Sequence, residues 1–314
     1  MISDHLAASV ERHGGKILLM ARVDRIVVEE GRVKGIELES KQIGRCFVRA
    51  PAVISNADLK HTLLDMLAAD DLEAETTSRT EAYEMAPALG MVYLGYQRDL
   101  RAEHHPRTNY WVYPDYDYEP QYREVAAGRF PADPFAYISI ASLKDPTNPR
   151  LAPEGVTNLQ VMSLAPHQPE AWGVTAEAVT TGSYRKDDQY LQAKGEYTER
   201  LIQSASRVFS DLGEKTVFQE LATPLTHSRY TRSTSGTSYG IAATPQQFLR
   251  RRPGIRTEVE GLYLCGASTR MGHGIGGVTL SGLFAAAAIA GRGLVKETFE
   301  NTYSMVSSST SSSA

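Results

Sequence analysis

Cysteine is nearly absent from this chain. Cys46 and Cys265 are its only two in 314 residues, too few for a disulfide framework, and nothing near either has metal-ligand spacing. Both lie in apolar, strand-like runs, which reads as a pair of buried, inert thiols in a reducing compartment. An excess of charge is also lacking. The 33 basic and 37 acidic residues leave a net of −4, without the basic field that a nucleic-acid partner requires. The longest apolar stretch, LFAAAAIAG at 283–291, falls well short of the roughly 20 residues that span a bilayer. The opening MISDHLAASVERHGGK carries Asp4, Glu11 and Arg12 where an export signal needs an apolar core. No Ser-His-Asp arrangement, paired-carboxylate motif or P-loop appears. His104, His105, His227 and His273 have no carboxylate or cysteine at ligand spacing, so no metal site is expected and each reads as a solvated or hydrogen-bonded side chain.

The hydrophobic share of 42% and charged share of 22% are those of an ordinary globular protein, and the length suits about two domains. Residues 4–13 read as an amphipathic helix ending at Gly14-Gly15. Lys16–Leu19, Val23–Glu29 and Val33–Leu38 read as strands, the last two joined by a Glu30-Gly31 turn. CFVRAPAVISNA at 46–57 reads as a further strand. A helix carrying Leu59, Leu63, Leu64 and Leu67 then follows an Asn56 or Asp58 cap. From about 75 to 225 the pattern changes. Strand-like stretches at 90–97, 108–114, 136–142 and 157–165 alternate with polar loops, and a long helix covers about 187–209. This block reads as an inserted mixed sheet with helices. The final SSSTSSSA is low-complexity, and 301–314 is expected to be a disordered tail.

The most informative stretch is GLYLCGASTRMGHGIGGVTLSGLFAAAAIAG. A buried strand stops at Gly266, a glycine-rich loop follows, and a helix is expected to begin near Thr279 or Ser281. Such a loop admits close ligand approach, and a helix N-terminus offers free N–H groups and a positive dipole end. Gly272, Gly274 and Gly277 satisfy G-x-G-x-x-G, with Glu297 twenty residues past Gly277. The dinucleotide-binding reading of that string fails on context. Thr269, Arg270 and Met271 separate the loop from its strand, and no second parallel strand follows.

Tyr239–Gly291 resembles the C-terminal signature of the phytoene desaturase, carotenoid isomerase and retinol saturase group of flavoproteins. Tyr239-Gly240, Gln246 and Arg252-Pro253 match its YG, Gln and RP elements, and Gly261–Thr269 and Gly272–Val278 match its strand and loop. Met271 and Gly276 stand where prolines are usual. The resemblance implies FAD as cofactor. The Cys265–Ser268 turn, with Gly266, Ala267 and Ser268, would run along its ribityl chain and pyrophosphate. Gly276, Gly277 and Val278 would pack against the isoalloxazine ring, Gly274 would also bind the cofactor, and the helix N-terminus would face the flavin's N1–C2=O edge. The segment HGGKILLMARVDRIVVEEGRVKGIEL resembles the same superfamily. Val23 would read the adenine edge through its backbone, and Ser55 and Asn56 in VISNAD would lie at a cofactor-facing turn.

The fold implied is α/β. A partial FAD-binding, Rossmann-like domain comes from two discontinuous segments, 1–74 and 226–300, around an inserted α+β substrate domain at 75–225. The N-terminal G-x-G-x-x-G unit of the family is not in the chain. A truncated enzyme, half of a split enzyme completed by an N-terminal chain, and an inactive remnant or binding module are therefore all open. The implied activity is desaturation, saturation or isomerisation of an apolar conjugated substrate such as a carotenoid or retinoid. Tyr110, Trp111, Tyr113, Tyr116, Tyr118 and Tyr122 read either as a tunnel lining for such a substrate or as a strand and a tyrosine-rich surface loop. Arg250–Arg252 reads either as a phosphate- or membrane-binding patch or as a solvated loop. The location implied is cytoplasmic, with peripheral membrane contact left open. An amine-oxidase-like enzyme with a polar substrate is disfavoured by Ala267 and Ser268, where such enzymes carry an acidic residue.

Overall fold

A computed structural model describes residues 2–291 and 293–301. In chain order its elements are α1 (Ile2–Arg12), β1 (Ala21–Glu29), β2 (Arg32–Ser40), β3 (Gly44–Arg49), β4 (Val53–Ser55), α2 (Ala74–Ala82), β5 (Leu89–Tyr96), β6 (Tyr110–Val112), α3 (Glu119–Ala126), β7 (Ala136–Ser139), α4 (Ala141–Lys144), β8 (Thr157–Leu164), α5 (Ala176–Thr181), α6 (Asp188–Ala205), β9 (Thr216–Ala222), α7 (Pro224–Thr231), β10 (Leu262–Leu264) and α8 (Gly274–Ala290). The tail expected over 301–314 lies, from 302 onward, outside the described residues. No helix among the described residues is long and apolar enough to cross a membrane.

The chain divides into two units. One takes the chain up to Tyr83 and again from Gln246, and the other is Glu84–Pro245. Residues 226–245, grouped by their sequence pattern with the C-terminal segment, go with the second unit. Ala242 N–H bonds Glu84 O and Ala86 N–H bonds Gly240 O, each at 2.8 Å, which pins them beside the start of that unit.

In the first unit β1, β2 and β3 form an antiparallel sheet in that order. The β1–β2 turn uses Glu30 (φ 52°) and Gly31 (φ 71°), the paired positive φ angles that match the twist of a tight hairpin. The run at 46–57 becomes two strands, not one. Pro51 has no N–H to give a ladder, so β3 ends before it and β4 starts after it. Lys16–Leu19 forms no strand. Among the described residues no strand pairs with it, and Ile17, Leu18, Leu19 and Met20 are exposed. The helix expected after Asp58 shrinks to a single π-turn at His61–Asp65, which the Asp58 carboxylate opens by accepting the His61 N–H at 3.1 Å. Leu59, Leu63 and Leu67 are nevertheless buried.

The second unit is a five-stranded sheet ordered β6-β7-β8-β5-β9. Every neighbouring pair is antiparallel, so the sheet is not mixed. The reason lies in the connection after β8. Helix α6 carries the chain across to the far edge of β5, where β9 adds antiparallel to it. Asp187 caps α6 by accepting from the Gln189 and Tyr190 N–H groups. Tyr190, Tyr197, Leu201 and Ala205 then fall on one helical face and are buried, joining Trp172, Val92, Leu94, Ile138, Leu159 and Val161 in one core. Each such large apolar side chain adds about 1.5–3 kcal/mol by leaving water.

Candidate functional site

Strands β10 and β4 pair in parallel, Leu262 with Val53, Tyr263 with Ile54 and Leu264 with Ser55. The Cys265 N–H extends the ladder to Ser55 O at 2.9 Å. Both strands end at this point, so Ser55-Asn56 and the Gly266–Ser268 turn meet beyond the carboxyl ends of a parallel pair. That is where open α/β sheets hold ligands.

The turn is fixed from three directions. Gly266 has φ 95°, and a Cβ there would overlap Asn56 Oδ1, so only glycine fits. The Gly266 N–H donates to Ser281 Oγ at 2.7 Å, and that hydroxyl donates to Val278 O at 2.6 Å, tying the strand end to α8. Arg252, only 3% exposed, donates from Nη2 to Ala267 O at 2.6 Å and from Nε to Thr269 O at 3.0 Å. Sequence reading gave Arg252 as part of the Arg-Pro match and of a patch or solvated loop, Ser281 as a helix start and Thr269 as a strand end, and assigned none of them a role in holding this turn. The one signal available was the Arg-Pro dipeptide at a fixed distance before the strand.

Helix α8 begins at Gly274, five residues before Thr279. Gly274, Gly276, Gly277 and Val278 therefore form its first turn and do not lie in a loop ahead of it. Gly277 makes this possible: a Cβ there would stand 2.6 Å from Met271 O and 2.9 Å from Gly272 O. The cap residue His273 makes no side-chain cap bond, and the positive end of the α8 dipole lies at this point. A Cβ built at Gly272, Gly274 or Gly276 meets nothing within 4 Å. Open space thus runs along the helix start, next to the Gly266–Ser268 turn. A positive helix end with a glycine cradle fits an electron-rich planar ring carrying phosphates. Ser55 is buried and its Oγ lies 2.7 Å from Thr62 Oγ1, while Asn56 is exposed.

Val23 is not part of this cluster. It lies on β1, opposite Leu38 and next to a bulge. Since β1 is an edge strand, its outer backbone groups face away from the sheet. The thiols are not the fully buried pair expected. Both are half-buried, and burial pushes the Cys265 thiol up, which keeps it protonated and unreactive.

The second unit carries an aromatic surface. Trp111 packs on Tyr137 with centroids 4.6 Å apart, and Tyr113 on Phe135 at 5.5 Å. Trp111, Phe135 and Tyr137, with Leu89, Met162 and Leu164, line a cavity of about 170 Å³. Tyr113, Tyr116 and Tyr118 line a separate, wider concavity. The tyrosine-rich segment thus supplies both a cavity wall and exposed rings, with Tyr116 fully exposed.

The family model described as flavin containing amine oxidoreductase matches residues 1–290. A phytoene desaturase (neurosporene-forming) of Cereibacter sphaeroides is 28% identical, over 88% of this chain and 50% of its own. A prolycopene isomerase of Daucus carota is 26% identical over 92% of this chain and 42% of its own. An all-trans-retinol 13,14-reductase of Danio rerio is 24% identical over 95% and 49%. The chain thus spans about half the length of the curated relatives it matches. In structure it is similar to cyclohexylamine oxidase from Brevibacterium oxydans, with a TM-score of 0.53 and 14% identity over 92% of this chain and 51% of that one. An oxidoreductase from Methanosarcina mazei gives the same TM-score at 17% identity, over 88% and 51%. The chain belongs to the flavin containing amine oxidoreductases, an α/β family whose cofactor is FAD.

Proposed function

We propose that this chain is the flavin-ring and substrate half of an FAD-dependent oxidoreductase acting on an apolar conjugated molecule of the carotenoid or retinoid class. The observation that carries the reading is the strand–turn–helix of β10 and α8, with its glycine cradle. On this reading the first unit is part of a Rossmann-like domain built from two discontinuous segments, and the second is its substrate domain.

With FAD bound, Gly276 and Gly277 would let the flavin ring approach the helix backbone, and the N–H groups opening α8 would stabilise negative charge on the ring. The Gly266–Ser268 turn, with Ser55 and Asn56 beside it, would hold the ribityl chain and phosphates. The edge of β1 at Val23 would hold the adenine. FAD, when bound, supplies the hydride transfer. The aromatic cavity of about 170 Å³ supports an apolar substrate, since it offers ring faces and aliphatic carbon and no charged group. The names of the desaturase, isomerase and reductase relatives favour the same class.

Two features support a further strand-bearing segment in the active protein, on the same polypeptide or another. Among the described residues the parallel ladder has only two strands, far narrower than parallel sheets usually are, and Ile17–Met20 presents an exposed apolar run.

The test is reconstitution. The chain is mixed with FAD, alone and with a separately expressed glycine-rich strand–turn–helix segment from a relative. A visible flavin band that co-elutes with the chain, and a shift of the polyene's absorption band in the combined sample, are the expected results. No retained flavin in either sample defeats the reading.

A further inference from the structure

The first unit contains a second concavity, of about 440 Å³. Helix α2 and the stretch from Gln246 to Glu258 form most of its wall. Six arginines line it, namely Arg79, Arg250, Arg251, Arg252, Arg256 and Arg270, against one carboxylate, Glu258. Guanidinium groups stay protonated at any physiological pH, so the wall carries five more positive charges than negative ones (6 − 1).

Neutral partners hold several of these groups in place. Arg252 donates to the Ala267 and Thr269 carbonyls. Arg256 Nη2 donates to Ala288 O at 2.6 Å, and its Nη1 lies 3.4 Å from the Tyr263 hydroxyl. Arg270 Nε donates to Arg252 O at 3.3 Å. Arg79 Nη2 donates to Thr76 Oγ1 at 3.3 Å, and its Nη1 lies 3.9 Å from Glu75 Oε1, where both side chains are exposed. Glu258 accepts from the Glu73 N–H at 2.5 Å and the Thr76 hydroxyl at 2.8 Å. These bonds orient the forks without neutralising them. Tyr83, in the same wall, feels the result. Burial raises its phenol pKa, while the charges of Arg79, Arg252 and Arg270 all oppose the rise.

Such a wall is matched by an anion with several acceptor oxygens, because a guanidinium fork takes phosphate oxygens two at a time. The volume exceeds what one inorganic phosphate fills and lies within the usual small-molecule range of about 300–1,000 Å³. Leu63, Leu72 and Leu264 add an apolar portion to the wall. None of the residues assigned to the flavin cradle lines this cavity.

We propose that this cavity binds a phosphate-bearing anion of at least two negative charges, its oxygens held by the arginine forks and its organic part resting on the leucines. The phosphate has two possible sources, a free phosphate ester or a lipid headgroup. Exposed Phe248 and Leu249, directly before Arg250, keep the second open.

The full chain is titrated calorimetrically with inorganic diphosphate. In parallel it is sedimented with phosphatidylcholine vesicles, with and without phosphatidic acid. Saturable diphosphate binding is expected, weakened about tenfold or more in R79Q/R250Q, since each substitution removes a charge-assisted hydrogen bond. K296Q, at an exposed lysine outside the cavity, is expected to bind as the parent does. Circular dichroism of each variant confirms that it is folded. Diphosphate binding without vesicle sedimentation assigns a free ester. Sedimentation that needs phosphatidic acid and is lost in R79Q/R250Q assigns a headgroup. Either result upholds the site. Absence of binding in both arms, unchanged binding in R79Q/R250Q, or displacement of diphosphate by FAD overturns it.

Discussion

Arg252 and Ala267 are joined by a 2.6 Å hydrogen bond from a buried guanidinium to a carbonyl oxygen, and a second bond from the same side chain holds Thr269 O. A cation fifteen positions upstream thus shapes the turn that follows β10. Its remaining contacts are also with protein, Nη1 lying 3.4 Å from Gln247 O, so the group acts as an internal strut.

Replacing this strut is expected to loosen the turn. Arg252→Met leaves two carbonyls without their donor, a loss of about 2–4 kcal/mol. Arg252→Lys does not rescue it, because one ammonium cannot span two carbonyls as a planar fork does. Denaturant unfolding measures the loss, and flavin retention is expected to fall in both variants. A lysine variant with parental stability contradicts the strut.

Gly266→Ala is expected to cost about 1–3 kcal/mol from its φ of 95°, with the overlap on Asn56 added. In the double variant with Asn56→Ala the overlap goes but the backbone strain stays. The double variant is therefore more stable than Gly266→Ala alone and less stable than Asn56→Ala, as a double-mutant cycle will measure.

Neighbouring glycines of α8 separate packing from ligand space. Gly277→Ala meets Met271 O and Gly272 O and should lower the melting temperature. Gly276→Ala meets nothing and gains about 0.8–1 kcal/mol of helix propensity. Its melting temperature should hold or rise while flavin affinity drops. Unchanged flavin affinity in Gly276→Ala means that the ring does not lie on this turn.

The two tryptophans should behave oppositely. Trp172 is fully buried, with its indole N–H 2.8 Å from Pro166 O, and Trp172→Ala should cost about 3–5 kcal/mol. Trp111 is 59% exposed. Trp111→Ala should leave stability nearly unchanged yet weaken the binding of a polyene probe, measured by its absorbance shift.

Burial lowers the pKa of His167 and His227. The unfolded chain therefore takes up their protons first as pH falls, so stability drops on going down from about pH 6.5 through the folded values. Melting temperature should decline over that window, and H167Q/H227Q should flatten the decline. An equal slope in the parent and double variant contradicts the assignment.

How much of this was legible in the sequence depends on what each residue packs against. The β1–β2 hairpin, the strands at 90–97 and 157–165, and α6 follow from alternation, turn residues and an aspartate cap. β9 escaped because four successive residues in it are exposed, which leaves no alternation to detect. Lys16–Leu19 has strand character but no neighbour to pair with. The start of α8 escaped because glycine is a poor helix former, and only its fit against the Met271 and Gly272 carbonyls makes a glycine helix the right one here. Arg252 reads as solvent-facing until Ala267 and Thr269 fold over it. The glycine-rich turn and helix start were recognisable as a motif, but the bonds that hold them in shape are tertiary.

The two visits the chain pays to its first unit also set an order of events during synthesis. Arg32 and Glu260, 228 positions apart, are ion-paired, and β4 has no ladder until β10 emerges. Glu84–Pro245 closes its own sheet with contacts drawn wholly from within itself. A ribosome at ordinary elongation rates, about 5–20 residues per second, therefore releases a finished inner unit while the outer one waits tens of seconds for its last strand. Throughout that interval β4 is open to chaperones and to neighbouring nascent chains.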